Sequence, residues 1–308
     1  MSASAAGYHA LKSRCGVADL SARIKLQLTG ADRVRYLNGQ VTSNVQKLAA
    51  GQTQPACVTT AKGRLCAEIV ITARADSLLV DADASLADSL PARLERYIIA
   101  DDVTLSELPP EMRLLHFIGD VPPELNLASA LISASRFGRA GWDWWTDSAA
   151  LENAWPTISQ ACMPLDEPLC ELLRIEAGIP RWGRELDENT LPPEAGLDRT
   201  HIDFHKGCYI GQEVISRLKS VGHVNRQLTG FVSENGAPIP ASASLFTSDD
   251  ATRAVGQITS AAFSFALEKP IALGYLKRGS PTGGLIARAA NSAGAEAAVS
   301  ARSLPFFP

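Results

Sequence analysis

His205-Lys206-Gly207-Cys208-Tyr209-Ile210-Gly211-Gln212-Glu213-Val214-Ile215-Ser216-Arg217-Leu218 reads as a glycine-rich turn entering an amphipathic helix. Ile210, Val214, Ile215 and Leu218 form the apolar stripe of that helix. The reading sets Cys208 at or just before the helix N-terminus, beside Lys206 and close to His205. Unpaired backbone N–H groups and a neighbouring cation both favour thiolate over thiol. Cys208 is therefore the candidate reactive or ligand-binding group, with Lys206 as its partner. Gly207 and Gly211 let other groups approach the backbone closely. Set against this, most cysteines are inert core residues. Lys206, Arg217, Lys219 and Arg226 can together attract an anion, although solvation is the commoner fate of such charges.

A second chemical signal lies upstream. Asp166-Glu167-Pro168 is a helix start, with a capping residue, early acidic charge and proline in the first turn; Gly178 and Pro180 end the helix. Leu169, Leu172, Leu173 and Glu176 fall at i, i+3, i+4 and i+7, so a carboxylate shares the face of three leucines. An ionised group there needs donors or a positive partner. Two readings stand side by side: an internal salt bridge to Arg174, Arg181 or Arg184, or a ligand that presents two adjacent N–H donors, as the pterin edge of folate does. Beyond it runs a charged loop, Arg184 to Leu197, stiffened by Pro192-Pro193 and carrying Glu194. Stiffly held loops are where ligand-binding residues collect.

The 308 residues suggest two or three packed units, and 46% hydrophobic with 20% charged residues fits an ordinary globular protein. A formal charge of -4 argues against general nucleic-acid binding but leaves room for an anionic small molecule at a local basic patch. No apolar run approaches the length of a membrane helix, and Met1–Ala10 has no secretory pattern, so no membrane partner and a cytoplasmic location are expected. The six cysteines, Cys15, Cys57, Cys66, Cys162, Cys170 and Cys208, include no C-x-x-C pair, which argues against structural zinc or a four-cysteine cluster; reduced thiols are expected.

Alternation predicts a strand at Ile24, Leu26 and Leu28, and Asp32 is placed to cap a helix through Val34, Leu37, Val41, Val45 and Leu48. Strands follow at Pro55–Thr59 and Leu65–Thr72 around the turn Ala61–Arg64, then Leu78–Val80, a helix with Leu86, Leu90 and Leu94, and strands near Val103–Leu108 and Leu114–Ile118. Helices interleaved with hairpins point to an α+β fold of split β-α-β units. Gly141-Trp142-Asp143-Trp144-Trp145 is read as packing in preference to ligand stacking. From Gly222 onward short strands among Gly, Pro, Ser and Asn suit a small barrel or sandwich, with Pro281–Ser303 as one edge strand and a tail.

Lys206-Gly207-Cys208-Tyr209-Ile210-Gly211-Gln212-Glu213 resembles the signature of the YgfZ family. These are folate-binding proteins that assist iron–sulfur cluster assembly or repair, related to the aminomethyltransferase (T-protein, GcvT) of the glycine cleavage system. Gly30-Ala31-Asp32 through Leu37-Asn38-Gly39-Gln40-Val41-Thr42, Arg174-Ile175-Glu176-Ala177-Gly178 and Leu186–Leu197 are similar to other segments of that superfamily. The resemblance implies a GcvT/YgfZ-like ring: residues 1–221 as two intertwined, ferredoxin-like α+β subdomains that bind folate, and 222–308 as a β-barrel. It implies tetrahydrofolate, or a one-carbon derivative, as cofactor, and iron–sulfur client or assembly proteins as partners. Cys208 and Lys206 match the reactive segment. Glu176 and Glu194 fall where pterin-side carboxylates sit, with Glu68 and Arg217 as further folate contacts. T-proteins carry paired aspartates where this chain has Ala67 and Glu68, which weakens the alternative of aminomethyl or methyl transfer; a non-catalytic scaffold is the third reading.

Overall fold

The computed structural model describes residues 3–220, 222–289 and 296–307. The chain opens with α1 (Ala5–Ala10), β1 (Gly16–Asp19), β2 (Ile24–Thr29) and α2 (Arg33–Gln40). The hairpin β3 (Thr53–Thr59) and β4 (Leu65–Ala73) follows, then β5 (Leu78–Ala82), α3 (Ser89–Glu95), β6 (Thr104–Glu107) and β7 (Met112–Ile118). Next come β8 (Leu131–Ala134), β9 (Gly141–Asp147), α4 (Ser148–Ala161), β10 (Met163–Pro164), α5 (Glu167–Glu176) and α6 (Gln212–Ser220). The last part holds β11 (Arg226–Ser233), β12 (Ser244–Thr247), β13 (Gly256–Ser264), β14 (Lys269–Lys277), β15 (Leu285–Arg288) and β16 (Glu296–Arg302).

These elements make two five-stranded sheets and a barrel. The first sheet has the order β3-β4-β5-β2-β6, the second β10-β1-β7-β9-β8, and β11-β14-β13-β12-β15-β16 close on themselves. Leu26, Leu28, Val58, Ala67, Ile69, Ile71 and Val80 of the first sheet pack with Leu37, Leu90 and Leu94 of α2 and α3. The second sheet has a core on each face: Leu115, Phe117 and Trp144 meet Ile158 of α4, while Ala18 and Ile118 meet Leu169, Leu172 and Leu173 of α5. The barrel interior holds Phe231, Leu245, Ile258, Leu285 and Val299. Ile175 of α5 joins its outer wall at Leu273 and Tyr275.

Two expectations are corrected. The helix through Leu48 stops at Gln40; Val41 is extended and Val45–Lys47 form a short 3-10 turn, although Val41 and Val45 still enter the same core. Pro281–Ser303 is not an edge strand and tail: it supplies β15 and β16, and β16 pairs with β11 to shut the barrel. Ala287 and Ala297 are fully buried there, so small side chains fit inside the barrel where the sequence looks merely Ala-rich. Val221, the last residue of the expected first region, lies outside the described residues, and the first barrel strand starts at Arg226.

Candidate functional site

The segment around Cys208 is held against the first sheet by specific bonds. Ile210 donates its N–H to the Gly39 carbonyl at 3.3 Å, and Thr59 Oγ1 bonds the Ile210 carbonyl at 2.5 Å. At Gly211, with φ +91°, a Cβ would lie 2.5 Å from the Thr60 carbonyl oxygen, so only glycine allows this approach. α6 begins at Gln212, so Cys208 lies in the irregular loop four residues ahead of the helix. Cys208 is nonetheless the one exposed cysteine of the six.

Lys206 is buried, and its Nζ donates to the carbonyls of Asn38, Val41 and Ser43 at 2.6, 2.7 and 2.7 Å. Its ammonium is thus spent on the turn that leaves α2. Burial pulls it down to about 8, while three charge-assisted bonds favour the charged form. Arg217 stands on the exposed face of α6, paired with Glu213 at 2.7 Å.

Glu68 lies on β4. Ala67 points into the hydrophobic core and Glu68 to the opposite face, so the one carboxylate of this pair is the one directed away from the core. His201 Nε2 is 3.4 Å from its Oε1, and Arg23 Nη2 is 3.9 Å from its Oε2. Burial alone would raise this carboxyl, but His201 and Arg23 hold it below the ordinary value. Arg23 also bonds the buried Asp81, which Arg136 grips with two bonds of 2.9 and 2.8 Å. Arg136 reaches on to Asp143 at 3.0 Å, and Asp143 accepts from His116 Nδ1 at 2.8 Å. Burial lowers His116 and Asp143 opposes it; the net fall keeps the ring neutral, with Nδ1–H on the donor side. Glu68, Arg23, Asp81, Arg136, Asp143 and His116 therefore form a charge chain from the first sheet to the second. Sequence reading found only Glu68 among these six; Asp143 sits within the tryptophan run and Arg136 carries no motif. Trp144 and Trp145 are core residues, as expected from the same run.

Glu194 and Glu176 have different fates. Glu194 sits in a short 3-10 turn behind Pro192-Pro193, and its Oε2 accepts from Arg226 Nε at 3.1 Å. Arg226 lies over the Tyr275 ring at 4.2 Å, and Tyr275 donates to the Glu185 carbonyl at 2.9 Å. Oε1 of Glu194 makes no hydrogen bond among the described residues. Glu176 instead accepts from the hydroxyls of Tyr8 at 2.9 Å and Ser264 at 2.6 Å, using one bond on each oxygen. It ties α1 and α5 to barrel strand β13, through neutral donors and not through Arg174, Arg181 or Arg184. Arg174 pairs instead with Glu171 and with the buried Glu185, the latter at 3.1 Å. Glu176→Ala is expected to lower unfolding free energy by about 2–4 kcal/mol, since it strands two buried hydroxyls, while leaving ligand affinity unchanged. Denaturant titration beside ligand titration checks both.

The loop from Leu186 to His201 thus presents Glu194 towards the barrel and His201 towards β4. A cavity of about 580 Å³ opens on another side of it, lined by Arg199, Phe204, Lys219, Leu228, Arg302 and Leu304 among others; Cys208, Glu68 and Glu194 do not line it. No helix among the described residues is long and apolar enough to cross a membrane.

Two family profiles match the chain. The GCVT N-terminal domain covers residues 1–124, and the glycine cleavage T-protein C-terminal barrel domain covers residues 226–307. An aminomethyltransferase of Streptomyces avermitilis is 25% identical over 97% of this chain and 88% of its own. One from Picosynechococcus sp. is 27% identical over 87% of this chain and 80% of its own. The crystal structure of glycine cleavage system aminomethyltransferase T from Bartonella henselae shares the fold with a TM-score of 0.85, at 20% identity over 98% of this chain and 88% of that one. The chain thus carries a GCVT N-terminal domain and a glycine cleavage T-protein C-terminal barrel domain, one at each end, and shares the fold of a T-protein between them.

Proposed function

We propose that the protein binds tetrahydrofolate, or a one-carbon derivative of it, and acts as a T-protein-like, folate-dependent one-carbon transferase. The observation that carries this reading is Glu194: a nearly buried carboxylate, fixed through one oxygen by Arg226, with its second oxygen unpaired among the described residues. A pterin edge offers the adjacent N–H donors that such an oxygen lacks. The aminomethyltransferase relatives support the same reading. When bound, tetrahydrofolate would supply the nitrogen that takes up a one-carbon unit. Glu68 is the chain's own group for that chemistry. His201 and Arg23 keep it ionised, so it can accept a proton or hold positive charge near the reacting centre. Ala67, turned into the core, leaves Glu68 as the carboxylate of that pair on the opposite face, which favours transfer more than the sequence comparison does.

Titration with tetrahydrofolate, followed by tryptophan emission, tests binding. Glu194→Gln is expected to weaken it about 10–100-fold, the loss of a charge-assisted hydrogen bond worth about 1.5–3 kcal/mol. Glu68→Gln is expected to keep binding and to cut methylene-tetrahydrofolate formation from an amine donor by about 100-fold or more. Undiminished affinity in the Glu194 variant would sink the site.

A second reading rests on Cys208. Its exposure within the Lys206–Glu213 segment favours a YgfZ-type role, in which a folate-binding protein supports iron–sulfur client or assembly proteins through this thiol. Deleting the gene and assaying iron–sulfur enzymes, with rescue by wild type but not by Cys208→Ser, is the expected outcome of this reading. Rescue by the serine variant alongside measurable transfer activity would leave only the first.

A further inference from the structure

Cys15 and Cys162 stand far apart in sequence and side by side in the second sheet. Each immediately precedes a strand, Cys15 before β1 and Cys162 before β10. These strands run parallel with Gly16 opposite Met163 and Val17 opposite Pro164. The Met163 N–H bonds the Cys15 carbonyl at 2.8 Å. One step back along the same register sets Cys15 against Cys162, at the spacing of neighbouring strands, about 4.8 Å, which lies within the range a disulfide spans. Both side chains enter one cluster with Val17, Leu115, Phe117, Trp144 and Ile158, so they share a face of the sheet.

We propose that Cys15 and Cys162 are a reversible dithiol–disulfide pair, oxidised by hydroperoxides, whose bridge ties β1 to β10. Nothing in the folate reading requires them, and the two stand or fall separately. A cation stands beside Cys162: Arg14 lowers this thiol and is fixed by a 3.1 Å bond to the Gln160 carbonyl. Either sulfur can attack, and exchanging the two roles gives the same bridge. With Cys162 as the attacking sulfur, its thiolate takes the terminal oxygen of ROOH, giving Cys162–SOH and, after protonation, ROH. The Cys15 sulfur then attacks the sulfenic sulfur; the S–O bond breaks as the S–S bond forms, and the hydroxide leaves as water with the Cys15 proton. The sum is two thiols and ROOH going to one disulfide, ROH and water, and a dithiol reductant reverses it.

Access sets the rate. Cys15 is 6% exposed and Cys162 0%, so a peroxide reaches them only when the sheet opens locally. β10 is a two-residue edge strand, the element of this sheet with the fewest ladder bonds to break. The bridge would join the segment leading from α1 into β1 to the end of α4, where the chain enters β10, and should stiffen that junction.

The full-length Cys208→Ser protein, which removes the exposed thiol, is treated with hydrogen peroxide at neutral pH, alkylated, digested without reductant and mapped by mass spectrometry. A linked Cys15–Cys162 peptide is expected, abolished by dithiothreitol and by either Cys15→Ser or Cys162→Ser, together with a melting temperature raised by several degrees over the reduced form. Recovery of both as alkylated thiols after Cys66 has been oxidised would overturn the proposal. So would Cys162 sulfinic acid without the crosslink.

Discussion

Arg136→Met is expected to cost about 3–5 kcal/mol of stability, the usual penalty for removing one partner from a buried ionic network. Among the described residues, Arg136 alone bonds both Asp81 and Asp143, each of which is fully buried. Without it the described side chains leave Asp81 with Arg23 and Asp143 with a neutral imidazole. Against a typical total of about 5–15 kcal/mol, such a loss brings the protein close to unfolding. The sign of the pH dependence identifies the cause. Burial favours the protonated acid at Asp81, but Arg136 and Arg23 hold it below its ordinary value. Its contribution in the wild type is therefore present above the unfolded carboxylate value, about 4, and lost as pH falls through the folded one. In the variant the stranded carboxylates prefer the protonated form, so its deficit should shrink on acidification. Denaturant titrations from pH 8 to pH 4.5 should show the gap narrowing. A gap that stays constant would mean that lost packing, and not stranded charge, sets the cost. Asp81→Asn combined with Arg136→Met should recover part of the stability, since one of the unpaired charges is then gone.

The same network marks where sequence reading stops. β2, the β3–β4 hairpin and α5 were legible because each has a local signal: alternation around Leu26 and Leu28, the turn at Gly63, and the Asp166 cap with Pro168. The capping bond is present, from the Leu169 N–H to Asp166 at 2.9 Å. Glu176 was legible as a carboxylate on an apolar face, but its donors, Tyr8 and Ser264, lie 168 and 88 residues away and carry no charge to betray them. Helical spacing through Val41 and Val45 reflected a shared core rather than a shared helix. Nothing within the chain's local pattern tells that Lys206 will take up the carbonyls that this turn exposes. The Cys208 segment was legible as an ordered, glycine-dependent loop. Its helix, however, starts later than the apolar stripe suggests, because Ile210 is held by its backbone to Gly39 and Thr59 while still in the turn.

Lys206→Met is expected to lower stability by about 2–4 kcal/mol, as three carbonyls lose their charged donor. Asn38 lies in the last turn of α2, Val41 caps it and Ser43 follows, where the carbonyls run out of helical N–H partners, and Nζ serves all three at 2.6–2.7 Å. Arginine should not substitute, because a planar fork cannot converge on three oxygens around one point. The pH dependence has a definite sign. Burial brings the folded Lys206 down to about 8, against about 10.4 in the unfolded chain. Between these values the unfolded state binds more protons, so wild-type stability from this group rises with pH, whereas the methionine variant has no such term. The difference between the two proteins, measured by denaturant titration at pH 7, 8, 9 and 10, should therefore grow with pH. The thiol supplies an independent readout. If the ammonium acted on Cys208 directly, its removal would slow alkylation of that cysteine at pH 7. Because the ammonium points to the carbonyls instead, alkylation should proceed at the wild-type rate or faster as the loop loosens. A tenfold slowing would show that the charge acts on the sulfur after all.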